Sequence, residues 1–221
     1  MLRWTAFILA LGLSATLSAQ EPARVEPALQ EVQDVAGLPR VLLIGDSISI
    51  GYTIPVRQRL QGKANVHRVL TNGGPTTNGL AHLEEWLGQG QWSVIHFNWG
   101  LHDLKVNDDG TRQVPLESYQ QNLRELVARL KRTGARLIFA STTPVPEGKL
   151  NPPRISADVI GYNLAAKTVM QENGIPIDDL YSLAFARMKD IQLPQNVHYT
   201  LEGYSVLAGQ VAESILRELE K

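Results

Sequence analysis

The 221-residue chain contains no cysteine. Disulfides, iron–sulfur clusters, thiolate zinc sites and cysteine nucleophiles are all excluded. The absence names no compartment, because exported proteins of this size can fold without disulfides. An excess of charge is also missing: 21 Lys and Arg stand against 22 Asp and Glu, a formal net charge of −1. A nucleic-acid binder would ordinarily carry a basic face or excess, so that class is set aside. No internal repeat or low-complexity block interrupts the sequence, and no apolar run outside the N-terminus suggests a membrane span. What the chain does have is a 43% share of hydrophobic residues, enough for a substantial core.

The N-terminus reads "MLRWTAFILALGLSATLSAQ", a single charge at Arg3 followed by an apolar run from Trp4 to Leu13 and then small residues. This is the pattern of a secretory signal peptide, with cleavage expected after Ala19. The run is shorter than the roughly 20 residues that span a bilayer, which argues against an uncleaved anchor. The protein is therefore expected to be exported, to a periplasm or to the medium. Residues 20–39 are polar and hold three prolines. They are read as a linker, leaving residues 40–221 as one domain, a size that suits a single core.

Within that domain, apolar runs alternate with helical patterns. Val41–Ile44, Val66–Leu70, Ser93–Asn98, Arg136–Ala140 and Ile175–Ile177 read as strands. Helices are expected at Pro55–Leu60, Leu80–Leu87, Leu116–Thr133, Ala157–Glu172 and Gly203–Leu219. The third is the clearest: Tyr119, Leu123, Leu126, Val127 and Leu130 recur at spacings of three and four, and Gly134 stops the helix. Alternation of this kind predicts an α/β fold, a parallel sheet of about five strands covered on both faces. Sites in such sheets lie beyond the carboxyl ends of the strands. Three loops then share one rim: 45–51, 73–79 and 99–103.

Ser47 sits on that rim, just past the first strand, in "IGDSISIGY". A serine hydroxyl becomes a competent nucleophile when a base takes its proton, and the usual base is histidine. Five histidines are available. His67 and His96 fall in or beside strands, where a structural role is expected, and His82 falls on a helix surface. His102 and His198 fall in loops. His198 stands just ahead of the last helix, where a side chain can reach back over the sheet edge.

Gly45-Asp46-Ser47, the late His198 with its following "YTLEGYSVLAGQVAESI", and "STTPVP" at 141–146 together resemble the SGNH hydrolase superfamily, the GDSL-type esterases and lipases. The likeness covers the whole domain. It implies a flavodoxin-like three-layer α/β/α sandwich, Ser47 as nucleophile, His198 as base, and no metal or other cofactor. It also implies an oxyanion hole built from the Ser47 N–H, a loop N–H and a side chain of the third motif block. The loop is "TNGGPTTNG", and either Gly74 or Thr77 suits the second donor. Two positions depart from the family. Where it usually has Gly-x-Asn-Asp, this chain has Gly100-Leu101-His102-Asp103, so His102 takes the oxyanion role of the Asn. Where it usually has Asp three residues before the His, this chain has Gln195. The imidazole of His198 would then be oriented by the Gln195 amide oxygen or by a backbone carbonyl. Asp190 and Glu202 are other acids nearby, and the resemblance favours neither. Trp99, beside the third block, is expected to line the pocket.

The expected function is an exported serine hydrolase of carboxylic esters, acting on small-molecule or carbohydrate esters, with deacetylation of polysaccharides as the reaction the family and compartment imply. The rival, from another class, is a carbohydrate-binding or scaffold protein on a hydrolase fold whose catalysis has decayed, since a fold does not dictate a function.

Overall fold

A computed structural model describes residues 26–221. Five strands form one sheet: β1 (Arg40–Ile44), β2 (Asn65–Arg68), β3 (Val94–Phe97), β4 (Arg136–Ala140) and β5 (Ile177–Asp178). Every pairing is parallel, and the spatial order is β2-β1-β3-β4-β5. This is the flavodoxin-like order, with the expected strand number and class. The central strands are buried on both faces, which explains why "VLLI" and "VIHF" read as continuous apolar runs without alternation.

The order of the strands sets the layers. The chain steps from β1 outward to β2, then crosses back to β3, β4 and β5. Right-handed crossovers in opposite directions put their helices on opposite faces. Hence α1 (Ser47–Arg59) covers one face, while α2 (Thr76–Leu87), α3 (Leu116–Lys131) and α4 (Asp158–Glu172) pack in sequence on the other. Two short helices follow β5, α5 (Leu180–Ala186) and α6 (Met188–Ile191), neither anticipated from the sequence pattern. The closing helix α7 (Leu201–Leu219) lies against α1.

The contact between α1 and α7 is unusually close. A Cβ on Gly51 would lie 2.1 Å from a Tyr204 ring carbon, and one on Gly203 would lie 2.4 Å from the Ile191 carbonyl oxygen. Glycine at 51 lets α7 run beside α1, and glycine at 203 lets α7 start against the end of α6. That brings the segment before α7 over the end of β1.

Three expectations need correction. Helix α1 begins eight residues before Pro55, at Ser47, and continues through the proline. The propensity signal favoured Pro55 as a first helical residue. Packing of α1 on the sheet and on α7 overrides that local cost. β5 falls two residues later than expected, at Ile177–Asp178. Finally, residues 26–39 are not a free linker. Ala28, in a short 3-10 turn at Pro27–Leu29, is fully buried, and Arg57 of α1 donates to the carbonyls of Pro27 and Gln30. Asn65 exchanges hydrogen bonds with the Val35 backbone at 2.9 and 3.0 Å. The proposed leader, residues 1–19, lies outside the described residues, as do residues 20–25.

Candidate active site

The turn after β1 is built by close backbone approach. Gly73 N–H donates to the Gly45 carbonyl at 2.9 Å, and a Cβ on Gly73 would meet that oxygen at 2.9 Å. Only glycine lets the loops after β1 and β2 touch this way. Beneath them lies Arg68, a buried guanidinium with no carboxylate partner among the described residues. It donates instead to the carbonyls of Gly45 (3.1 Å), Val69 and Thr71 (both 2.9 Å), and to Ser49 Oγ (3.2 Å). Burial pulls its pKa down to about 10. Nothing in the motif pattern flagged this residue, because a lone Arg at a strand end carries no local signature.

Asp46 caps α1: its Oδ1 accepts the Ile48 N–H at 2.9 Å. Ser47 is thus the first helical residue, half-buried, with its N–H among the first-turn amides that have no intrahelical acceptor. Its Oγ lies 2.9 Å from His198 Nε2. The two residues are 151 positions apart in sequence, joined by the packing of α7 on α1.

The far side of the His198 ring corrects a further expectation. Nδ1 faces Asn196 Oδ1 at 2.7 Å, and the Gln195 side chain is not its partner. Gln195 adopts φ +48, and its side chain lies about 4 Å from where a Cβ on Gly148 would be. The left-handed backbone at Gln195 turns that residue toward the 147–149 loop and leaves Asn196 under the ring. Asn196 Oδ1 also accepts the His198 backbone N–H at 3.0 Å. A backbone amide can only donate, so the atom it meets is the oxygen. The ring Nδ1 must therefore carry the proton, and the lone pair of Nε2 faces Ser47. The signal that could have found Asn196 is the Asx turn, in which Asn bonds the backbone two residues on.

His102 is fixed the other way round. Its Nδ1 lies 2.9 Å from Lys105 Nζ. An ammonium can only donate, so Nδ1 accepts and the ring proton sits on Nε2. Burial, with Lys105, Arg154 and His198 nearby, pushes the His102 pKa down to about 4, while Asp46 opposes. The ring is neutral at pH 7 and still a donor. Burial also lowers the pKa of His198, followed by an opposing pull from Asp46 and a further push down from Arg154.

Neither expected loop donor is presented simply. Gly74, at φ +62, already donates its N–H to Asn72 Oδ1 at 3.0 Å. Thr77 sits in the first turn of α2 and is exposed. The loop residue that reaches the cleft beside Ser47 is Asn72. Because its Oδ1 accepts from Gly74, its Nδ2 donors are the groups left to point elsewhere. Asp103 is a structural partner of the same loop: Thr76 N–H and Oγ1–H both donate to its Oδ1, at 2.8 and 2.5 Å. Its carboxylate thereby caps α2 where the helix dipole favours negative charge. Burial nevertheless pushes its pKa up to about 6, against the Thr76 hydrogen bonds.

Ser47, His198, His102 and Asn72 line one open cleft of about 520 Å³. Trp99 does not join them. It is fully buried with its ring against Gly79, where a Cβ would meet the indole at 2.6 Å. A groove of about 380 Å³ between α4 and β5 lies apart from these residues.

No curated protein matches the chain. Among solved structures it is similar to the acetyl xylan esterase AlAXEase, at 15% identity and TM-score 0.70, over 80% of this chain and 99% of that one. It is similar to the lipase/acylhydrolase from Enterococcus faecalis, at 18% identity and TM-score 0.69, over 80% and 95%. Axe2, an acetylxylan esterase from Geobacillus stearothermophilus, is 19% identical with TM-score 0.63, over 81% and 93%. At these identities the structures establish the shared fold. The sequence itself matches the family described as GDSL-like Lipase/Acylhydrolase over residues 43–206, most of the chain and all of the site loops, so the protein belongs to that family and is a carboxylic ester hydrolase.

Proposed function

We propose that the protein is an exported serine esterase that removes short acyl groups, acetyl above all, from small-molecule or carbohydrate alcohols. The observation that carries this is the line Ser47 Oγ–His198 Nε2–Asn196 Oδ1, with separations of 2.9 and 2.7 Å across the imidazole. Ser47 Oγ attacks the ester carbonyl carbon and its proton passes to His198 Nε2. The carbonyl π-electrons move onto oxygen. As they return, the bond to the alcohol oxygen breaks, and His198 gives its proton to the leaving alcohol. Water then attacks the acyl-serine with His198 as base, the acid departs, and Ser47 recovers its proton.

The oxyanion is held by the Ser47 N–H and the His102 Nε2–H. A third donor comes from the 72–79 loop, and the Asn72 amide suits it better than Gly74 or Thr77. Asn196 holds the His198 tautomer and contributes a dipole to the imidazolium. The half-open cleft, without an apolar lid, suits small esters. The acetyl preference leans on the names of the acetyl xylan esterases above and on no residue of this chain. Export leans on the pattern of residues 1–19. No helix among the described residues is long and apolar enough to cross a membrane.

The test is covalent labelling. A fluorophosphonate should add its mass to the Ser47 peptide of the native protein and to no peptide of the Ser47→Ala variant. Labelling elsewhere, or none beside an active control esterase, would return the protein to the rival class of a decayed hydrolase that only binds carbohydrate.

A further inference from the structure

The wall of the cleft opposite Ser47 and His198 is basic. Lys105, Lys149 and Arg154 line it, from the loops after β3 and β4, and no Asp or Glu does. This is a local feature, since the chain as a whole has 21 basic and 22 acidic residues. Elsewhere on the surface, Arg112, Arg124 and Arg129 are matched to Asp158, Glu172 and Glu84. Among the described residues none of the three cleft cations has a carboxylate within salt-bridge distance. The nearest acids are turned away: Asp46 is buried and holds the Ile48 N–H, and Asp103 is buried and holds Thr76. Glu147, two residues before Lys149, is exposed and does not line the cleft.

The three cations also keep free donors. Arg154 directs Nε to the Leu101 carbonyl (2.9 Å) and Nη1 to the Pro152 carbonyl (3.2 Å), which fixes the guanidinium and leaves Nη2 without an acceptor among the described residues. Lys105 uses one N–H on His102. Lys149 is exposed and makes no hydrogen bond among the described residues. Lys105 and Arg154 feel the charge of buried Asp46 without touching it, but no acid sits among the three cations in the cleft, and an anion placed there relieves their mutual repulsion.

We infer that the ester this cleft selects carries an anionic oxygen group, a carboxylate or a sulfate, beside the acyl group that Ser47 removes. Lys149 and Arg154 Nη2 receive that group while Lys105 completes the basic wall. This rests on the ester-hydrolase reading above and names its substrate class: an acylated acidic sugar or hydroxy acid, as opposed to a neutral one. Each of these solvent-accessible cations contributes about a factor of two to five, so the set amounts to roughly a tenfold preference at low salt. The preference shrinks as ionic strength rises and the screening length falls to about 8 Å.

The experiment compares acetate release from 4-acetoxybenzoate and 4-acetoxybenzenesulfonate with release from methyl 4-acetoxybenzoate. The neutral ester has a better leaving group than the benzoate, so intrinsic reactivity works against the expected result for that pair. The expected result is a kcat/KM at least fivefold higher for one anion, carried mainly by KM. The ratio between the two anions then separates carboxylate from sulfate as the preferred group. In the Lys149→Glu variant the anion-to-neutral ratio should fall at least fivefold. Ratios below fivefold for both anions, or a ratio that survives Lys149→Glu, overturn the inference while leaving the esterase standing. Calorimetry of the Ser47→Ala protein separates the two claims. If no ester is turned over, binding of 4-acetoxybenzoate without binding of its methyl ester retains the anion site and rejects the esterase; equal or absent binding rejects both.

Discussion

His198 and His102 face the same cleft with their protons on opposite ring nitrogens. Asn196 draws the His198 proton to Nδ1, and Lys105 drives the His102 proton to Nε2. One ring therefore offers a lone pair to Ser47, and the other can offer an N–H to the developing oxyanion. At pH 7.5, long-range nitrogen–carbon-proton NMR correlations should show an Nδ1–H pattern for His198 and an Nε2–H pattern for His102. The same tautomer on both rings would contradict this division. His102→Ala should then lower kcat about 10²–10³-fold with little change in KM, the usual cost of a lost oxyanion donor.

Asn196 supplies a dipole at the place where many triads hold a carboxylate. Asn196→Ala should lower kcat tenfold or more, because the ring loses the partner that sets its tautomer. Asn196→Asp should do the reverse: a full charge beside Nδ1 stabilises the imidazolium and raises kcat/KM for a simple acetate ester near pH 8. Gln195→Ala should be nearly silent in both parameters, since its side chain lies against the 147–149 loop. A large loss in Gln195→Ala with none in Asn196→Ala would reverse these roles.

Burial of His198 sets the acid limb of activity. Its pKa lies below the ordinary value of 6.5, so the neutral, basic form persists to lower pH than in a free imidazole. The kcat/KM profile should therefore fall with a midpoint below 6.5 as the pH is lowered. Asn196→Asp should move that midpoint upward. A wild-type midpoint above 6.5 would contradict the burial argument.

Asp103 makes an opposite contribution to stability. Its folded pKa of about 6 lies above its ordinary 3.8. The folded state holds this proton more tightly than the unfolded one, so the stabilisation is full below pH 3.8 and is lost as pH rises through 6. Asp103→Asn keeps an oxygen for Thr76 and removes the titration. Thermal melts should show that the change in Tm from pH 5 to pH 7.5 is more positive in this variant than in the wild type. An identical change in both would show the carboxyl to be unshifted.

Gly51 gates the geometry from a distance. A methyl group there must displace the Tyr204 ring, at a cost of about 1–3 kcal/mol for overpacking. Gly51→Ala should lower the urea midpoint accordingly and cut kcat/KM at least tenfold, because α7 carries the His198 segment. Unchanged stability in this variant would mean that the helices can part without penalty.

The strands of this protein were legible because buried parallel strands are continuous apolar runs, and β4 matches its expected bounds residue for residue. The approach of Ser47 to His198 is legible because their motifs have fixed places relative to the first strand and the last helix. What stayed hidden depends on backbone conformation or on contacts distant in sequence. Spacing alone pointed to Gln195, and only its left-handed φ hands the contact to Asn196. Arg68 binds carbonyls on two loops, and no local pattern marks such a residue. Pro55 concealed the first two turns of α1, which packing on α7 stabilises. Trp99 lies beside the third block in sequence and under Gly79 in space.

The segment from Glu26 to Pro39 has a practical meaning for anyone trimming the protein. Cutting at residue 40, where the sheet begins, would strip Ala28 from its socket, unseat the guanidinium of Arg57 on α1, and leave Asn65 without the Val35 backbone. The smallest unit that keeps α1 properly braced starts upstream of Pro27.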